Sequence, residues 1–469
     1  MVTSSSPDLC VIGGGAGGLS VAAGAAQLGA RTVLIEAGAM GGDCLNVGCV
    51  PSKALLAAGH AAAAARNGEV FGVRPLGEPE IDAAALRRHV RGVIDGIAPH
   101  DSQERFEGLG VRVIRDRARF VDPRTVEVGG ERIRARRFVV ATGSRPLVPP
   151  IPGLEGVPYL TNETIWDVEE VPEHLVIVGG GPLGCELAQA HRRLGAAVTL
   201  IERERLLARD DTELVAIVRR RLEADGITLH EGAIAEAAAV RGNRVCLRVA
   251  GAEGSIEVEG SHLLVAAGRL PAVDGLGLDA AGIDHERRGI VVDRRLRTTN
   301  RRVFAVGDVT GGPQFTHVAG HHAGVVIQNA LFRLPAKVSH VLPAVTYTDP
   351  ELASVGLPPD EAGVEPIRVP FTDNDRARTE RRTEGLLKLA ADRRGRILGV
   401  AICGAQAGEL LAPWVLAMQN GLKLRAFTGA VLPYPTLAEI DKKAASAFYA
   451  PKLFSPGVRR LVRFLGWFG

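Results

Sequence analysis

The stretch GGDCLNVGCVPSK (Gly41–Lys53) holds two cysteines, Cys44 and Cys49, separated by four residues. A regular α-helix would keep the Cα atoms of residues five positions apart at about 8–9 Å, because of its rise and radius. A disulfide needs a Cα separation of roughly 4.4–6.8 Å. The glycines of the stretch give the backbone the freedom to leave helical geometry. A bonded pair therefore requires an irregular backbone at this point of the chain.

A helix is predicted directly after the cysteines, from Ser52 to about residue 65. Pro51 suits its first turn, because the N–H that proline lacks would have no partner there. The positive end of the helix lowers the pKa of a nearby thiol and favours the thiolate. These features favour a pair that opens and closes, with two separate thiols or a metal site as alternatives. No His or Cys cluster follows at ligand spacing, so no metal site is predicted.

A dinucleotide-binding signature precedes the cysteines. The apolar strand Leu9–Ile12 leads into glycines with G-x-G-x-x-G spacing, then a helix of small residues, then a strand that ends at Glu36. The glycines are Gly13, Gly15 and Gly18. They allow a tight turn, close approach to a diphosphate at the helix N-terminus, and close packing of helix on strand. Glu36 can accept hydrogen bonds from a ribose hydroxyl.

A second copy of the signature begins about 165 residues later, so two dinucleotides are expected. The strand at residues 175–178 is followed by Gly179, Gly181 and Gly184, a helix, and a strand that ends at Glu202. An acid at this position selects a free 2′-hydroxyl and repels a 2′-phosphate. NADH is therefore favoured, and the nearby Arg203 and Arg205 leave NADPH as the alternative.

The cysteine stretch and the two signatures resemble the FAD-dependent pyridine nucleotide–disulfide oxidoreductases (class I) over nearly the whole chain. That family includes dihydrolipoamide dehydrogenase, glutathione reductase and mercuric reductase. The resemblance implies an α/β fold with two Rossmann-like domains, for FAD and NAD(P), and a C-terminal α+β dimerisation domain. The implied segments are 1–150 and 276–336 for FAD, 151–275 for NAD(P), and 337–469 for dimerisation.

The resemblance also implies roles for individual residues. Cys49 would form the charge-transfer thiolate, Cys44 would attack the substrate, and Lys53 would pair with Glu186 beside the reactive nitrogen of the flavin. Asp308 would hold the ribitol hydroxyls. The remaining cofactor contacts lie at glycine turns, strand ends and one histidine: Gly42, Ala141, Thr142, Gly143, Gly268 and His317. The segment at residues 345–356 resembles the start of the dimerisation domain, so a homodimer whose partner subunit completes each active site is implied.

One position departs from the disulfide reductases of the family. Where they carry His-Pro-Thr and a downstream glutamate, this chain has Tyr434, Pro435, Thr436 and Glu439. Tyrosine, with a reference pKa near 10, is a poor base at neutral pH, whereas histidine titrates near 6.5. Tyrosine here resembles the mercuric reductases, whose thiolates bind a metal ion. Unlike them, the chain has no cysteine after Cys403, and we expect no N-terminal metal-carrying domain.

Composition narrows the possible partners and compartment. The formal charge of +3 and an aromatic content of 4% give no indication of nucleic acid binding. No apolar run reaches about 18 residues, and Met1–Asp8 lacks the features of a secretory signal. Four cysteines lie in apolar segments and are predicted to be buried: Cys10, Cys185, Cys246 and Cys403. A cytoplasmic location with a catalytic rather than structural disulfide follows.

The last segment contains VRRLVRFLGWF, in which basic and aromatic residues alternate. It indicates either contact with a membrane or membrane protein, or packing on its own domain. The preferred function is electron transfer from NADH through FAD to the Cys44–Cys49 disulfide, and on to a small-molecule disulfide or a thiol-bound metal such as Hg(II). The alternatives are a dihydrolipoamide dehydrogenase and a weakly active, flavin-bearing interaction protein at a membrane.

Overall fold

The computed structural model describes residues 6–74, 77–252 and 254–468. The N-terminal segment for which no secretory signal is expected lies largely outside these residues, as does the final residue of the tail.

Thirteen helices are present in the described residues: α1 (Ala16–Gln27), α2 (Gly42–Asn46), α3 (Cys49–Arg66), α4 (Ala83–Ile97), α5 (Gln103–Gly108), α6 (Pro182–Arg193), α7 (Thr212–Ala224), α8 (Thr316–Ala330), α9 (Asp375–Thr379), α10 (Ala407–Gln419), α11 (Arg425–Gly429), α12 (Glu439–Leu453) and α13 (Pro456–Leu465).

The strands of the same residues are β1 (Leu9–Ile12), β2 (Thr32–Ile35), β3 (Arg112–Ile114), β4 (Arg119–Asp122), β5 (Thr125–Val128), β6 (Glu131–Arg134), β7 (Arg137–Val140), β8 (Ser144–Pro146), β9 (Tyr159–Leu160), β10 (His174–Val178), β11 (Ala197–Glu202), β12 (Thr228–Glu231), β13 (Ile234–Arg241), β14 (Arg244–Gly251), β15 (Gly254–Gly260), β16 (His262–Val265), β17 (Arg269–Pro271), β18 (His285–Glu286), β19 (Gly289–Ile290), β20 (Val303–Ala305), β21 (Ala344–Thr346), β22 (Glu351–Gly356), β23 (Ile367–Pro370), β24 (Leu386–Ala391) and β25 (Ile397–Gly404).

The chain forms two compact units. The first comprises Met1–Gly179, Ala190–Arg203 and Gly232–Ser339, and the second comprises Gly180–Gln189, Glu204–Glu231 and His340–Gly469. The domain boundaries inferred from the sequence, at residues 150, 275 and 336, stay predictions.

The first unit contains a parallel sheet in the order β20-β7-β1-β2-β3. Successive residues of β1 enter different cores. Cys10 and Ile12 pack with residues of β4–β6, whereas Leu9 and Val11 pack with residues of α1 and α8. Both faces of the sheet are therefore buried, which is why its strands are continuously apolar.

A second parallel arrangement in the first unit, β11-β10-β16-β9, repeats the design of the first sheet. The antiparallel sheet β13-β14-β15 packs with it in one hydrophobic core. The predicted α/β fold with two dinucleotide-type sheets is confirmed.

The second unit is built around the antiparallel sheet β21-β22-β25-β24-β23. Trp414 of α10 is fully buried in its core, and its indole N–H donates to Asp441 Oδ1 at 2.7 Å. Burial raises the pKa of Asp441 to about 7. A hairpin with a polar turn at residues 392–395 connects β24 and β25. Among the described helices, none combines the length and the apolar character needed to cross a bilayer.

Candidate active site

The first glycine loop is shaped by contacts that leave no room for side chains. Gly13 has φ +108°, and a Cβ there would lie 2.3 Å from the carbonyl oxygen of Ala141. A Cβ on Gly18 would lie 1.8 Å from the carbonyl oxygen of Gly13. Gly15 is the N-cap of α1, and a Cβ there would meet only Gly42 Cα, at 3.8 Å. The loop is therefore packed below and open at the helix N-terminus.

The cysteine stretch lies directly against this loop. Gly41 adopts φ +89°, and its N–H donates to the carbonyl oxygen of Gly14 at 2.9 Å. A Cβ on Gly42 would lie 2.7 Å from Gly15 Cα. Gly42, predicted as a cofactor residue, thus sits where the two motifs touch, and a side chain there would force them apart.

The carboxylate of Glu36 also reaches the glycine loop. It accepts hydrogen bonds from the backbone N–H groups of Gly14 and Gly38, the second at 2.5 Å. The acid at the end of β2 is thus fixed beside the N-terminus of α1, where a ribose hydroxyl bound to the loop would meet an acceptor.

Cys44 and Cys49 lie on two successive helices rather than on one. Cys44 is in α2, and Cys49 is the first residue of α3. The break at residues 47–48 supplies the irregular backbone that the spacing required. The indole N–H of Trp166 donates to the carbonyl oxygen of Val47 at 3.1 Å, which fixes this break. Pro51 lies in the first turn of α3, as predicted.

The two cysteines are in the dithiol form and interact with each other and with Thr316. Cys49 Sγ lies 3.5 Å from Thr316 Oγ1, at the start of α8. The hydrogen bond with Cys49, together with burial, raises the pKa of the Cys44 thiol. The helix N-terminus was expected to lower the pKa of a nearby thiol, and for Cys44 the neighbouring sulfur and burial outweigh it. Cys44 therefore keeps its proton in this pair.

Arg269 is a site residue that the sequence analysis missed. Its guanidinium contacts the carboxylate of Asp43, donates to Ser144 Oγ at 2.7 Å, and donates to Asn162 Oδ1 at 3.1 Å. Asp43 precedes Cys44 on α2, so Arg269 connects the cysteine stretch to β8 and β17. The only sequence signal was its position after Gly268, a glycine with φ +122° between β16 and β17.

Asp308 occupies the position that the resemblance assigns to ribitol binding. Its Oδ2 accepts from Ser144 Oγ at 2.6 Å, and Arg269 Nε lies 4.0 Å away. Burial raises the pKa of Asp308. The turn at residues 141–143 directly precedes Ser144. Thr142 Oγ1 donates to the carbonyl oxygen of Ala272 at 2.8 Å. Gly143 has φ +70°, and apart from its chain neighbours a Cβ there would meet none of the described residues within 4 Å.

The three histidines of α8 differ in their surroundings. His317 is exposed and stacks on Phe315, with ring centroids 5.2 Å apart. His322 is buried, and its Nδ1 accepts from the N–H of Gly307 at 3.2 Å. Burial lowers its pKa to about 4, so it stays neutral. His321 Nε2 accepts from the N–H of Ser339 at 2.9 Å. His321 and His322 thus act in packing, and a flavin contact of His317 stays a prediction.

Lys53 lies one turn into α3, and its Nζ donates to Ser52 Oγ at 3.3 Å. Ser52 in turn donates to the carbonyl oxygen of Cys49 at 3.2 Å. Glu186 belongs to the second unit, where it is buried and its Oε1 accepts from the N–H of Tyr347 at 2.9 Å. The Lys53–Glu186 pair stays a prediction.

The second nucleotide signature repeats the local geometry of the first. Gly179 has φ +118°, and a Cβ there would lie 2.3 Å from the carbonyl oxygen of Ala266. Its N–H donates to the carbonyl oxygen of Ile201, next to Glu202 at the end of β11. A Cβ on Gly181 would meet none of the described residues within 4 Å, so the space there is open. Gly181 directly precedes α6, and Gly184 lies in the first turn of that helix.

Tyr434 belongs to the second unit and is 70% exposed. Its hydroxyl donates to Asp375 Oδ2 at 3.2 Å. The charge of Asp375 raises the pKa of Tyr434 above its usual value, which makes it a still poorer base. Glu439 is the first residue of α12, five positions further along the chain.

These residues fit the cofactors that the sequence analysis predicted. An open helix N-terminus behind a glycine loop suits a dinucleotide diphosphate, and the carboxylates of Glu36 and Asp308 suit the hydroxyl groups of ribose and ribitol. The four remaining cysteines are buried, as predicted. Fold and site together define a flavin- and nicotinamide-dependent dithiol oxidoreductase.

Comparison with known proteins agrees with this definition. Residues 7–323 match the family model for pyridine nucleotide-disulphide oxidoreductases, and residues 342–445 match the dimerisation domain of that family. The chain belongs to this family and is a flavoprotein disulfide oxidoreductase that uses FAD and NAD(P)H. Its dimerisation domain supports a homodimer.

Relatives of two activities are similar over most of the chain. The mercuric reductase of Lysinibacillus sphaericus is 37% identical over 459 residues, covering 96% of this chain and 84% of that protein. The dihydrolipoyl dehydrogenase of Thermus scotoductus is also 37% identical over 459 residues, covering 94% and 97%.

Two solved structures share the fold. LpdA from Mycobacterium tuberculosis superposes with a TM-score of 0.85 at 26% identity, covering 94% of this chain and 99% of that one. The Cu(II) complex of the HOCl-induced flavoprotein disulfide reductase RclA from Escherichia coli gives a TM-score of 0.83 at 26% identity, covering 93% and 99%.

Proposed function

We propose that the enzyme passes two electrons from NADH to the Cys44–Cys49 pair and from there to a thiol-bound metal ion such as Hg(II). The observation that carries this proposal is Tyr434, at the position where disulfide reductases of the family have histidine. Its hydroxyl is hydrogen-bonded to Asp375, and its pKa is raised. Such a group does not accept protons at neutral pH. Reduction of a metal ion that is bound by thiolates needs no base at this position.

The chain's own residues account for the proton and electron balance at the sulfurs. Bound FAD would relay the electron pair from NADH. Reduction breaks the bond between Cys44 and Cys49, and the two sulfurs together gain two electrons and up to two protons. Thr316 and the N-terminus of α3 favour the thiolate on Cys49, and Cys44 holds its proton until substrate arrives. Binding of a soft metal ion to both sulfurs then displaces the two small thiolates that carried the metal, and one of them takes the proton of Cys44. Transfer of two electrons to the bound Hg(II) would give Hg(0) and re-form the bond between Cys44 and Cys49.

The choice of NADH rests on Glu202 and on the surroundings of Arg205. The Arg205 guanidinium donates to four backbone carbonyl oxygens at 2.6–3.4 Å, those of Leu206, Leu207, Ala208 and Asp210. It is thus already used to hold its own loop. We propose that Glu202 sets the nucleotide preference.

Lys53 and Glu186 keep the roles that the family resemblance implies, and Glu439, which matches the family's downstream glutamate, is proposed as a catalytic residue. Lys53 and Glu186 would tune the flavin, and Glu439 would act with Tyr434 from the partner subunit. The dimerisation domain supports such an arrangement.

A direct test measures NADH consumption by the holoenzyme with thiol-complexed Hg(II), and separately with lipoamide. We expect turnover with Hg(II) that is abolished in C44S and C49S, and slow turnover with lipoamide. The control C10S removes a buried cysteine outside the site. Hg(II) turnover that persists without Cys44 and Cys49 would contradict the proposal.

A dihydrolipoamide dehydrogenase is the second candidate, because such enzymes match this chain as well as mercuric reductases do. The variant Y434H separates the two. A large gain in lipoamide turnover would show that the missing base limits disulfide chemistry. Fast lipoamide turnover by the wild type with no gain in Y434H would favour the second candidate.

We further propose that the C-terminal tail docks on an anionic membrane surface. On α13 the apolar residues Leu461, Phe464 and Leu465 lie on one face, and Arg459, Arg460 and Arg463 on the other. The apolar residues are exposed, as are Trp467, at 87%, and Phe468. No acidic residue follows Asp441 in the sequence, so the tail carries only positive side-chain charge. Helices of this kind lie in the bilayer interface.

Vesicle sedimentation tests this docking. We expect binding to phosphatidylglycerol-containing vesicles, little binding to pure phosphatidylcholine, and loss of binding in F464S/W467S but not in the control V240S/I256S. Absence of binding, or conversion of the tail variant to a monomer in solution, would overturn the proposal. Cell fractionation would show whether the enzyme is cytoplasmic, as the cysteine content predicts.

A further inference from the structure

Five arginines line one cavity of the first unit. The cavity has a volume of about 170 Å³ and is lined by Arg137, Arg295, Arg297, Arg301 and Arg333, together with Phe304, Asn329 and Leu334. Five cations around so small a space repel one another unless an anion lies between them. This arrangement requires an explanation that the redox site does not provide.

The cavity lies away from the proposed cofactor sites. Arg137 is the first residue of β7, and Arg301 lies just before β20, so the cavity is at the amino ends of these parallel strands. The glycine loop and the turn at residue 141 follow the carboxyl ends of β1 and β7. Arg333 lies beyond the end of α8, and Thr316 begins that helix, which spans roughly 22 Å. An anion in the cavity is therefore distinct from a cofactor diphosphate.

Carboxylates leave most of this charge uncompensated. Among the described residues, Arg297 alone of the five has an acid in reach: its Nε lies 3.5 Å from Asp293 Oδ2. Within the part of the chain that the structure describes, Arg137, Arg295, Arg301 and Arg333 have no carboxylate oxygen within 4.0 Å. Burial and the charges of neighbouring arginines lower the pKa of Arg137. A bound anion would remove this repulsion.

One of the lining arginines also has a hydrogen-bond donor without an acceptor among the described residues. The Nε–H of Arg297 is buried and makes no hydrogen bond with the described residues, although Asp293 is near. Buried donors are normally satisfied, so an unsatisfied one indicates a missing acceptor. Phosphate oxygens match the planar fork of arginine, which is why arginine is preferred at phosphate sites.

The backbone around the cavity is held in a costly conformation. Leu296, between two of the arginines, has φ +62°, and Arg333 has φ +57°. Left-handed backbone is unfavourable for a residue other than glycine. The Asn329 amide donates to the carbonyl oxygens of Val325 and Ala336 at 2.9 and 2.8 Å, which ties α8 to the segment after Arg333. The arginines are thus presented by a fixed framework.

We propose that this cavity is a binding site for a small phosphate-bearing anion, with pyrophosphate or orthophosphate as the simplest ligands. A volume of about 170 Å³ is well below the roughly 300–1,000 Å³ of pockets for drug-sized ligands, so it selects a compact group. The anion is held by several arginines at once, and its affinity falls as ionic strength rises. A phosphate group on a lipid shares this chemistry and is distinguished in the test.

Titration calorimetry on the holoenzyme, with saturating NAD⁺ in a phosphate-free buffer of low ionic strength, tests the site with sodium pyrophosphate and with orthophosphate. We expect one site per chain for the wild type and at least tenfold weaker binding for R301Q/R333Q, whose side chains are exposed. The control R124Q/R134Q removes two exposed arginines elsewhere in the same unit. Equally weakened anion binding in both variants, or no saturable anion binding to the wild type, would contradict the proposed site.

A second measurement needs no variant. Pyrophosphate should slow the modification of Arg301 and Arg333 by phenylglyoxal, detected by mass spectrometry, and leave Arg124 unprotected. Absence of protection would contradict the proposal.

Vesicles that contain phosphatidic acid supply the other source of a phosphate group. If R301Q/R333Q weakened binding to these vesicles but not to pyrophosphate, the ligand would be a lipid headgroup, and the proposal of a free anion would be wrong.

Discussion

Cys49 Sγ lies 3.5 Å from the hydroxyl oxygen of Thr316, so the first residue of α3 meets the first residue of α8. Two helix N-termini thus converge on one sulfur, and a hydroxyl is placed to donate to it when it is ionised. Both features favour a thiolate at this position.

Replacing Thr316 tests whether its hydroxyl supports that thiolate. We expect T316V, which keeps the side-chain shape, to slow alkylation of Cys49 by iodoacetamide in the reduced enzyme about tenfold at pH 7. A hydrogen bond to a charged group is worth roughly 1.5–3 kcal/mol, and about 1.4 kcal/mol corresponds to a factor of ten. T316S should restore the rate. An unchanged rate in T316V would show that the contact has no electrostatic role.

Arg269 is expected to stabilise the site through its contacts with Asp43 and Ser144. In R269Q the carboxylates of Asp43 and Asp308 lose their nearest cation, so the free energy of unfolding should fall by about 2–4 kcal/mol and FAD should be retained less well. The control R145Q breaks the exposed pair with Asp274, whose loss should cost less than about 1 kcal/mol. Equal effects of the two substitutions in denaturant titrations would contradict this account.

Glu202 is expected to set the nucleotide preference. The wild type should use NADH with a higher kcat/KM than NADPH. In E202A the ratio of kcat/KM for NADH to that for NADPH should fall roughly tenfold, because the carboxylate that repels the 2′-phosphate is removed. The control E204A removes the next carboxylate along the chain. A wild-type preference for NADPH would refute the assignment.

The buried carboxyl of Asp441 predicts a pH-dependent stability. Its folded pKa of about 7 lies above the unfolded value near 3.8, so its stabilising contribution is complete below pH 4 and is lost as the pH rises to 7. D441N keeps the acceptor for Trp414 and does not titrate. Relative to the wild type, it should gain about 2.5 kcal/mol in the free energy of unfolding between pH 5 and pH 8. A difference that does not change with pH would place the ionisation elsewhere.

The elements around the site could be predicted from sequence because their determinants are local. The strand Leu9–Ile12 has the predicted bounds, and β2, β10 and β11 begin or end within a few residues of theirs. Glycine spacing and apolar runs carry that information. The start of α3 was placed too late, because Cys49 and Val50 already take helical geometry before Pro51.

The contacts that complete the site could not be predicted in this way. Arg269 is 226 residues from Asp43, and Thr316 is 267 residues from Cys49. Neither pair is marked by a local pattern, because the two members meet only once the parallel sheet has brought distant turns to one edge. The arginine cavity is hidden for the same reason, since its residues come from three separate segments of the chain.

The most direct test of the central claim counts the thiols that appear when the oxidised holoenzyme is reduced by NADH without oxygen. Alkylation in the native state followed by peptide mass spectrometry should show two new thiols per chain, at Cys44 and Cys49, while Cys10, Cys185, Cys246 and Cys403 remain protected by burial. NADH oxidation and flavin reduction without new thiols at Cys44 and Cys49 would contradict the claim that this pair carries the electrons.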